Sequence, residues 1–328
     1  MTPNFPIFLR PLSDHWKMKL ALLALVSLSG CGTTTGSTSV SRSGSAGAPS
    51  SQPSPWHTVL TTEAEVTGVA LDGQGNIYVA ELSGDRVEKF SSKGQELARW
   101  GDRGSGPGQL YEPAKLAVDP QGNVYVTEVG NDRVQKFSPT GQPLGQWGTM
   151  GSGSGQFNWP VGIALDRQGN LYVADLNNNR VQELSPVGRP LVQWGGYGSG
   201  PGQFNAPYDV TLDSTGNFYV SDVYNDRVQK FSPTGNPLAQ WGKSGAKPGE
   251  FGEGELRGLV VDGQGNIYVG DIGNNRIQKL SPAGRYLAQW AAPGGKLGDF
   301  SGHTEIAMDT QGNLYVSIGN RVLKLAVR

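Results

Sequence analysis

Three charged residues occupy equivalent positions in a repeated part of this chain. The repeat contains the segment Asp-x-x-Gly-Asn, which occurs six times. Four residues before the Asp of this segment, the second, fourth and sixth copies carry Lys115, Asp209 and Glu305, and the other three copies carry glycine. Arg257 stands one place earlier in the fifth copy. If the copies form a ring, these side chains converge at its axis. They would then either bind a polar ligand or neutralise one another as ion pairs, and the sequence leaves both alternatives open.

Aromatic residues that most copies lack stand near these charges. They are Tyr111, Trp159, Tyr208 and Tyr224. Aromatic and Arg side chains dominate the energetics of interfaces, so these four residues and Arg257 are the predicted anchors of a binding face. Lys115, Asp209 and Glu305 complete the predicted ligand-binding set. Alanine at Trp159 and Tyr208 is expected to abolish binding and to leave thermal stability nearly unchanged.

Nucleophilic catalysis has no candidate residue. The stretch Gly151–Gly155 matches Gly-x-Ser-x-Gly, but it is a low-complexity loop, whereas a nucleophile elbow requires a strand-to-helix turn and a partner His. Cys31 is the only cysteine. We therefore predict no catalytic residue, and whether the chain is an enzyme stays open, with a non-enzyme favoured.

The spacing of the copies predicts the elements that position these residues. The repeated Asp stands at intervals of 47, 47, 47, 49 and 47 residues, at Asp72, Asp119, Asp166, Asp213, Asp262 and Asp309. Turn residues divide each unit into four short strands, and four strands per unit of roughly 40–50 residues are typical of propeller blades. The sixth unit ends at Leu325 after three strands, and Trp56–Thr62 precedes the first unit. We expect an all-β, six-bladed β-propeller of four-stranded blades, closed by this N-terminal strand joining the last blade.

Residues that every unit repeats are expected to be structural. The repeated acid and Arg, as in Asp175 and Arg180, should pair within a blade, and the repeated Tyr and Trp should pack between blades.

The chain resembles the NHL-repeat family over residues 56–328. The third unit carries the pattern as Ile163-Ala-Leu-Asp-Arg-Gln-Gly-Asn-Leu-Tyr-Val173, then Asp175 and Asn178-Asn-Arg-Val-Gln182. Glu81 and Glu128 replace the usual Asp in the first two units, and Ser317 is placed at the position of the acid in the sixth. The resemblance implies that functional differences lie on the face that carries the long loops.

The resemblance also raises three specific activities. A zinc-dependent amidating lyase would need several histidines in the channel. This chain has three in all: His15 in the predicted signal peptide, His57 in the predicted closing strand and His303 before the last inner strand. They cannot converge on one ion, so we expect no such activity. Lactonase-like propellers hold calcium with carboxylates, for which Asp209 and Glu305 are the candidates, but Lys115 and Arg257 would repel the ion. RNA binding would need a basic face, whereas the formal net charge is −1, so we expect no nucleic acid partner.

The N-terminus resembles that of bacterial lipoproteins. Lys17 and Lys19 precede an apolar run that ends in Leu28-Ser-Gly-Cys31, which is similar to a lipobox. The resemblance implies lipidation of Cys31 and location in the cell envelope, at the outer membrane if the organism is Gram-negative. We predict a signal peptide at 1–30, a lipidated N-terminus with a flexible Ser/Thr/Gly/Pro tether at 31–55, and the propeller at 56–328.

The sequence thus predicts a monomeric, lipid-anchored propeller outside the cytoplasm. It would bind a protein, peptide or cell-envelope glycan through its loop-bearing face and hold no cofactor. The alternative hypothesis is a calcium-dependent lactonase- or esterase-like hydrolase with its site at the channel mouth.

Overall fold

The structure, a computed structural model, describes residues 55–294, 300 and 303–327. The predicted signal peptide, Cys31 and nearly all of the predicted tether lie outside these residues. The described strands belong to one compact unit, Pro53–Arg328. Within the described part of the chain, no helix has the length and apolar character needed to cross a membrane.

The described strands form six antiparallel sheets of four strands each, which are the blades of a propeller ring. In chain order, β1 to β13 are Trp56–Thr61, Val66–Leu71, Ile77–Glu81, Arg86–Phe90, Glu96–Trp100, Pro113–Val118, Val124–Glu128, Arg133–Phe137, Pro143–Trp147, Pro160–Leu165, Leu171–Asp175, Arg180–Leu184 and Pro190–Gly195. The strands β14 to β24 are Pro207–Leu212, Phe218–Asp222, Arg227–Phe231, Pro237–Trp241, Leu256–Val261, Ile267–Asp271, Arg276–Leu280, Tyr286–Ala291, Ile306–Met308, Leu314–Ile318 and Arg321–Leu325. Single 3₁₀ turns follow the second strand of blades three to five, at Leu176–Asn178, Val223–Asn225 and Ile272–Asn274.

Blades one to five are continuous in sequence, and blade six contains both ends of the described chain. Strand β1 pairs antiparallel with β24, with Trp56 opposite Leu325, so the sixth sheet has the order β1-β24-β23-β22. The fold class and the closing strand predicted from the sequence are therefore confirmed. Pairing with β1 satisfies the backbone edge that β24 would otherwise expose.

Aromatic contacts join neighbouring blades. In blade three Tyr172 and Trp194 stack with ring centroids 5.7 Å apart, and Trp194 also lies 4.8 Å from Phe218 of blade four. A turn of the following blade reaches the same layer, because a Cβ placed on Gly188 of blade three would overlap the ring of Trp147 of blade two. The predicted packing of Tyr and Trp between blades is confirmed.

The repeated acid and Arg pair as predicted, and the Arg also holds a loop. Arg180 Nε lies 2.8 Å from Asp175 Oδ2, and its other nitrogens donate to the carbonyl oxygens of Ser152, Gly153 and Gln156 at 2.7 to 2.9 Å. The same buried ion pair recurs at Arg133, Arg227 and Arg276. A planar guanidinium suits this role because its donors are fixed in a fork. The Gly- and Ser-rich loops are thus anchored along their length.

Candidate functional site

In blades two and four, the inner strand carries the charged residue at the point where its pairing shifts register. In blade two Pro113 lies opposite Glu128 and Leu116 opposite Val126, so one extra residue is accommodated next to Lys115. Blades four and five show the same shift, and so does blade three. Such a bulge re-aims side chains. The charged side chains of alternate blades, namely two, four and six, meet at the ring axis.

A Ser or Thr hydroxyl supports each charged residue. The amide N–H groups of Lys115, Asp209 and Glu305 donate to Thr127 Oγ1, Ser221 Oγ and Ser317 Oγ at 3.0, 2.9 and 2.8 Å. The sequence carries a signal for this support, because this position of the second strand is Ser or Thr in the even-numbered blades and Ala or Gly in the odd-numbered ones. The placement of Ser317 at the acid position was wrong by one residue. The pairing of Ile318 with Arg321 matches that of Glu81 with Arg86, so Ile318 replaces the acid.

The odd-numbered blades carry small residues at the equivalent positions. A Cβ on Gly162 would lie 2.7 Å from the Asp209 Cα, and one on Gly68 would lie 2.9 Å from the Lys115 Cα. A contact below 3 Å with backbone atoms forces the chain to move. The alternation of glycine with charge, which the sequence displays, therefore follows from the close approach of inner strands around the axis.

The structure brings the three predicted charged residues together as a buried triad. Lys115 Nζ pairs with Asp209 Oδ2 and lies 3.0 Å from Glu305 Oε2. The residues are 6%, 0% and 1% exposed, respectively. Asp209 also accepts hydrogen bonds from the amides of Val210 and Leu259, each at 2.7 Å. This geometry favours the ion-pair alternative over a site open to ligand.

The titration of the triad follows from burial. Burial opposes the charged form of Lys115, but the carboxylates of Asp209 and Glu305 outweigh it and hold the pKa of Lys115 above its ordinary value. Burial raises the pKa of Glu305 to about 7, although Lys115 acts in the opposite direction. One ammonium thus pairs with two carboxyl groups.

Tyr208 and Arg257 fill the axis beside the triad. The Arg257 guanidinium lies over the Tyr208 ring at 4.5 Å, and Arg257 Nη2 lies 3.7 Å from Glu255. Tyr208 is only 6% exposed and packs in a hydrophobic cluster with Ala114 and Leu256. The expectation that a Tyr208→Ala variant would keep its thermal stability is therefore wrong, because Tyr208 is a buried residue of the hydrophobic core between inner strands. Arg257 is 8% exposed, so neither residue is an open surface anchor.

The carboxylates predicted as alternative calcium ligands do not fit that ion. The ammonium of Lys115 lies between Asp209 and Glu305, where a calcium ion would have to bind both of them. Calcium also needs about six to eight oxygen ligands. Among the described residues, no group of three or more His, Cys, Asp or Glu is placed to hold a metal.

The remaining predicted anchors lie on the loops that surround the axis. Tyr224 is 54% exposed, Trp159 is half-buried, and half-buried Tyr111 carries the Arg103 guanidinium 4.6 Å above its ring. Trp159 adopts φ of 60°, and its amide donates to Asp132 Oδ1 at 2.8 Å. A side chain in this left-handed region is held there by its surroundings. These three residues stay candidate ligand contacts.

Two further exposed apolar residues stand on the same face. Met150 is 72% exposed and Tyr197 74% exposed. They occupy equivalent places in successive loops, since each forms an isolated bridge to a buried Phe, Met150 to Phe157 and Tyr197 to Phe204. Sequence reasoning missed Met150, although its matching position in the loop repeat was a usable signal.

Comparison with known proteins gives the family of the repeats. Residues 110–137, 157–184 and 204–231 match the NHL repeat, so the chain contains NHL repeats in blades two, three and four. A search of curated proteins found no match.

Solved structures share the propeller fold. A streptogramin B lyase has a TM-score of 0.61 at 14% identity, covering 83% of this chain and 97% of that chain. A gluconolactonase from Xanthomonas campestris has a TM-score of 0.62 at 15% identity, covering 83% and 89%. A nidogen/laminin complex has a TM-score of 0.53 at 19% identity, covering 69% and 80%. At these identities the likeness concerns the fold alone.

Proposed function

We propose that this chain is an extracytoplasmic, lipid-anchored binding module. Its loop-bearing face would contact a protein, peptide or cell-envelope glycan, and the chain would act as a monomer without nucleic acid. The observation that supports this proposal is the set of exposed apolar side chains on one face, at Met150, Tyr197 and Tyr224. Exposed aromatic groups of this kind anchor partners because they bury large areas with few rotatable bonds.

The closed axis favours binding over catalysis. Lys115 neutralises the carboxylates that a metal would need, and Tyr208 and Arg257 occupy the adjacent space. The alternative of a calcium-dependent lactonase- or esterase-like hydrolase is supported by the fold shared with a gluconolactonase, but the Lys115 ammonium between the two carboxylates argues against it. A propeller of similar fold occurs in the nidogen/laminin complex, which supports partner binding as a use of this architecture.

Lipid attachment at Cys31 is a separate part of the proposal. It rests on the lipobox-like Leu28-Ser-Gly-Cys31, and several acyl chains on one cysteine would give stable membrane anchoring. We expect the full chain to incorporate labelled fatty acid in a bacterial host and to fractionate with membranes. A Cys31→Ser variant that stays membrane-bound to the same extent would contradict the anchor.

The binding proposal is tested by comparing two faces of the propeller. One variant carries Ala at Met150, Tyr197 and Tyr224. A control carries Ala at Leu144, Leu191 and Leu238, which are exposed by 54%, 50% and 53% on outer strands. We expect solubilised envelope proteins and purified cell-wall polymer to be retained by the wild type and the control but not by the loop variant. Equal retention by all three proteins would reject the loop face as the binding surface.

A further inference from the structure

Five of the six blades hold a lysine ammonium against the repeated Tyr. The two residues lie opposite each other on neighbouring strands, as Tyr125 and Lys136 do in blade two. The ammonium lies 4.7 to 5.0 Å from the ring centroid in the pairs Lys89/Tyr78, Lys136/Tyr125, Lys230/Tyr219, Lys279/Tyr268 and Lys324/Tyr315. A ring face attracts a cation at this distance. The blade thus forms a cradle for an ammonium group.

The repeated Asp completes this ammonium cradle. Lys230 Nζ lies 3.4 Å from Asp213 Oδ2, and Lys324 Nζ lies 3.2 Å from Asp309 Oδ2. The lysine side chains in blades two, four and five are only 20%, 20% and 21% exposed to solvent. The ammonium is therefore held by a carboxylate and a ring in a largely enclosed place, where both interactions are stronger than in water.

Blade three has the cradle without its cation. Glu183 lies opposite Tyr172, at the position that a lysine occupies in every other blade. Two carboxylates, Asp166 and Glu183, share the neutral donor Asn170 at 2.9 and 3.0 Å. Burial and Asp166 raise the pKa of Glu183, as expected for a carboxyl group that lacks a nearby cation.

A cavity opens at this same place, between blades three and four. Its volume is about 460 Å³, and its lining includes Asp166, Tyr172, Leu165, Leu212 and Asp213. Glu183 does not line the cavity, but it is linked to Asp166 through the shared donor Asn170. The lining combines carboxylates and an aromatic ring with apolar side chains. It also includes Arg167, which is exposed and stands on the turn beside Asp166. The cavity lies among the Asp-x-x-Gly-Asn turns, at the opposite ends of the strands from the loop-bearing face.

We propose that the blade-three cradle binds a primary ammonium group on a flexible alkyl stem, supplied from outside the chain. The group enters from the cavity and takes the place that Lys136 or Lys230 fills in the adjacent blades, with Asp166 as its anion and Tyr172 as its aromatic contact. Glu183, beside the cavity, adds a second negative charge. Leu165 and Leu212 accommodate the stem. The source is either the lysine side chain of a peptide or a free alkylamine, since both present the same chemistry. This site does not depend on the proposed binding function of the loop face.

The test is calorimetric titration of the folded chain with cadaverine, and separately with Nα-acetyl-lysine-methylamide, at constant ionic strength. We expect one saturable site in the wild type for at least one probe. Binding of both probes assigns the site to ammonium chemistry in general, and binding of only the lysine derivative assigns it to a peptide. 1-Pentanol, which has the stem without the charge, should not bind. Equal heats from 1-pentanol, or no saturation with either amine, would overturn the proposal.

Two substitutions use the other blades as controls. Glu183→Lys supplies the missing ammonium from within the chain and should weaken amine binding by at least about tenfold while keeping the fold. Lys136→Glu should create a second site in blade two and raise the stoichiometry to two, with circular dichroism and the melting temperature confirming that it folds. Unchanged amine binding in Glu183→Lys would show that the amine binds elsewhere and would reject the cradle, whatever the outcome for Lys136→Glu.

Discussion

Glu88 stands where four other blades carry a buried Gln that is hydrogen-bonded to the repeated acid. Those blades carry Gln at this position, and Gln182 donates to Asp175 at 3.2 Å and to the Gln156 carbonyl oxygen at 2.6 Å. Glu88 is only 2% exposed and lies beside the buried Glu81. Burial and the Glu81 charge raise the pKa of Glu88, although Arg86 at 3.1 Å opposes the shift. An ionised Glu88 therefore costs stability that a neutral amide would not.

We expect Glu88→Gln to raise the free energy of unfolding at pH 8 by about 1 kcal/mol, since it replaces a buried charge by a hydrogen-bonding amide. The folded-state pKa of Glu88 lies above its unfolded value, so the wild type regains stability as the pH falls and Glu88 is protonated. The gain should therefore shrink at pH 4.5. Urea unfolding at both pH values measures it, with the exposed Glu253→Gln as control. A less stable Glu88→Gln variant at pH 8 would contradict this account.

Glu305 predicts a second pH dependence, at the axis of the ring. Its pKa is raised from 4.5 to about 7 by burial, so its contribution to stability is complete below about pH 4.5 and is lost as the pH rises through 7. Glu305→Gln keeps the Lys115–Asp209 pair and removes the titrating group. We expect the wild type to melt at a lower temperature at pH 8 than at pH 5.5, and the variant to lose most of this difference. The same pH dependence in both proteins would assign it to other groups.

At the scale of elements, the repeated Arg links a blade to the long loop that precedes its inner strand. Arg180 joins Asp175 of strand β11 to three carbonyl oxygens of the loop before strand β10. Blade six differs, because Ile318 replaces the acid and Arg321 is exposed. The repeated Arg is thus a buried ion-pair partner in blade three and an exposed surface residue in blade six.

We expect Arg180→Ala to lower the free energy of unfolding by about 3–5 kcal/mol, because it leaves the Asp175 carboxylate buried without its cation. Arg321→Ala is the matched control and should change stability by less than about 0.5 kcal/mol. Guanidinium unfolding followed by fluorescence compares the two. Similar losses in both variants would mean that the ion pair and the loop contacts of Arg180 contribute little.

At the scale of the whole molecule, the ring depends on the strand that closes blade six. Trp56 in strand β1 donates its indole N–H to the Ala291 carbonyl oxygen of blade five at 3.1 Å and packs edge-on against Phe300 at 6.0 Å. It is 8% exposed. The Trp56 side chain therefore connects the closing strand of blade six to blade five.

We expect Trp56→Ala to cost about 3–5 kcal/mol, through the lost burial and the unfilled space between blades five and six. Hydrogen exchange should show faster exchange in β24 and β1 than in blades two to four, since opening begins at the closing strand. His57→Ala, an exposed residue of the same strand, is the control. Uniform acceleration across all blades would contradict a local role for the closure.

The site was less predictable from sequence than the fold. Lys115, Asp209 and Glu305 were found because they interrupt a glycine pattern, but their pairing depends on distances across the ring. Tyr208 was placed among exposed anchors because its aromatic type suits an interface, yet the same type suits a core. The position of Ser317 was misassigned since the loop after it is shorter than in the other units.

The sequence by itself determined the number of blades, their four strands and the closure by β1, because these follow from local turn chemistry repeated at a near-constant interval. It also determined the pairing of the repeated acid and Arg, which lie five residues apart in one hairpin. Only the tertiary structure decided that the axial charges neutralise one another, that Tyr208 and Arg257 are enclosed, and that a cavity opens beside Asp166 and Tyr172 between blades three and four. Each of these depends on how closely separate blades approach, and that distance results from the packing of the whole ring.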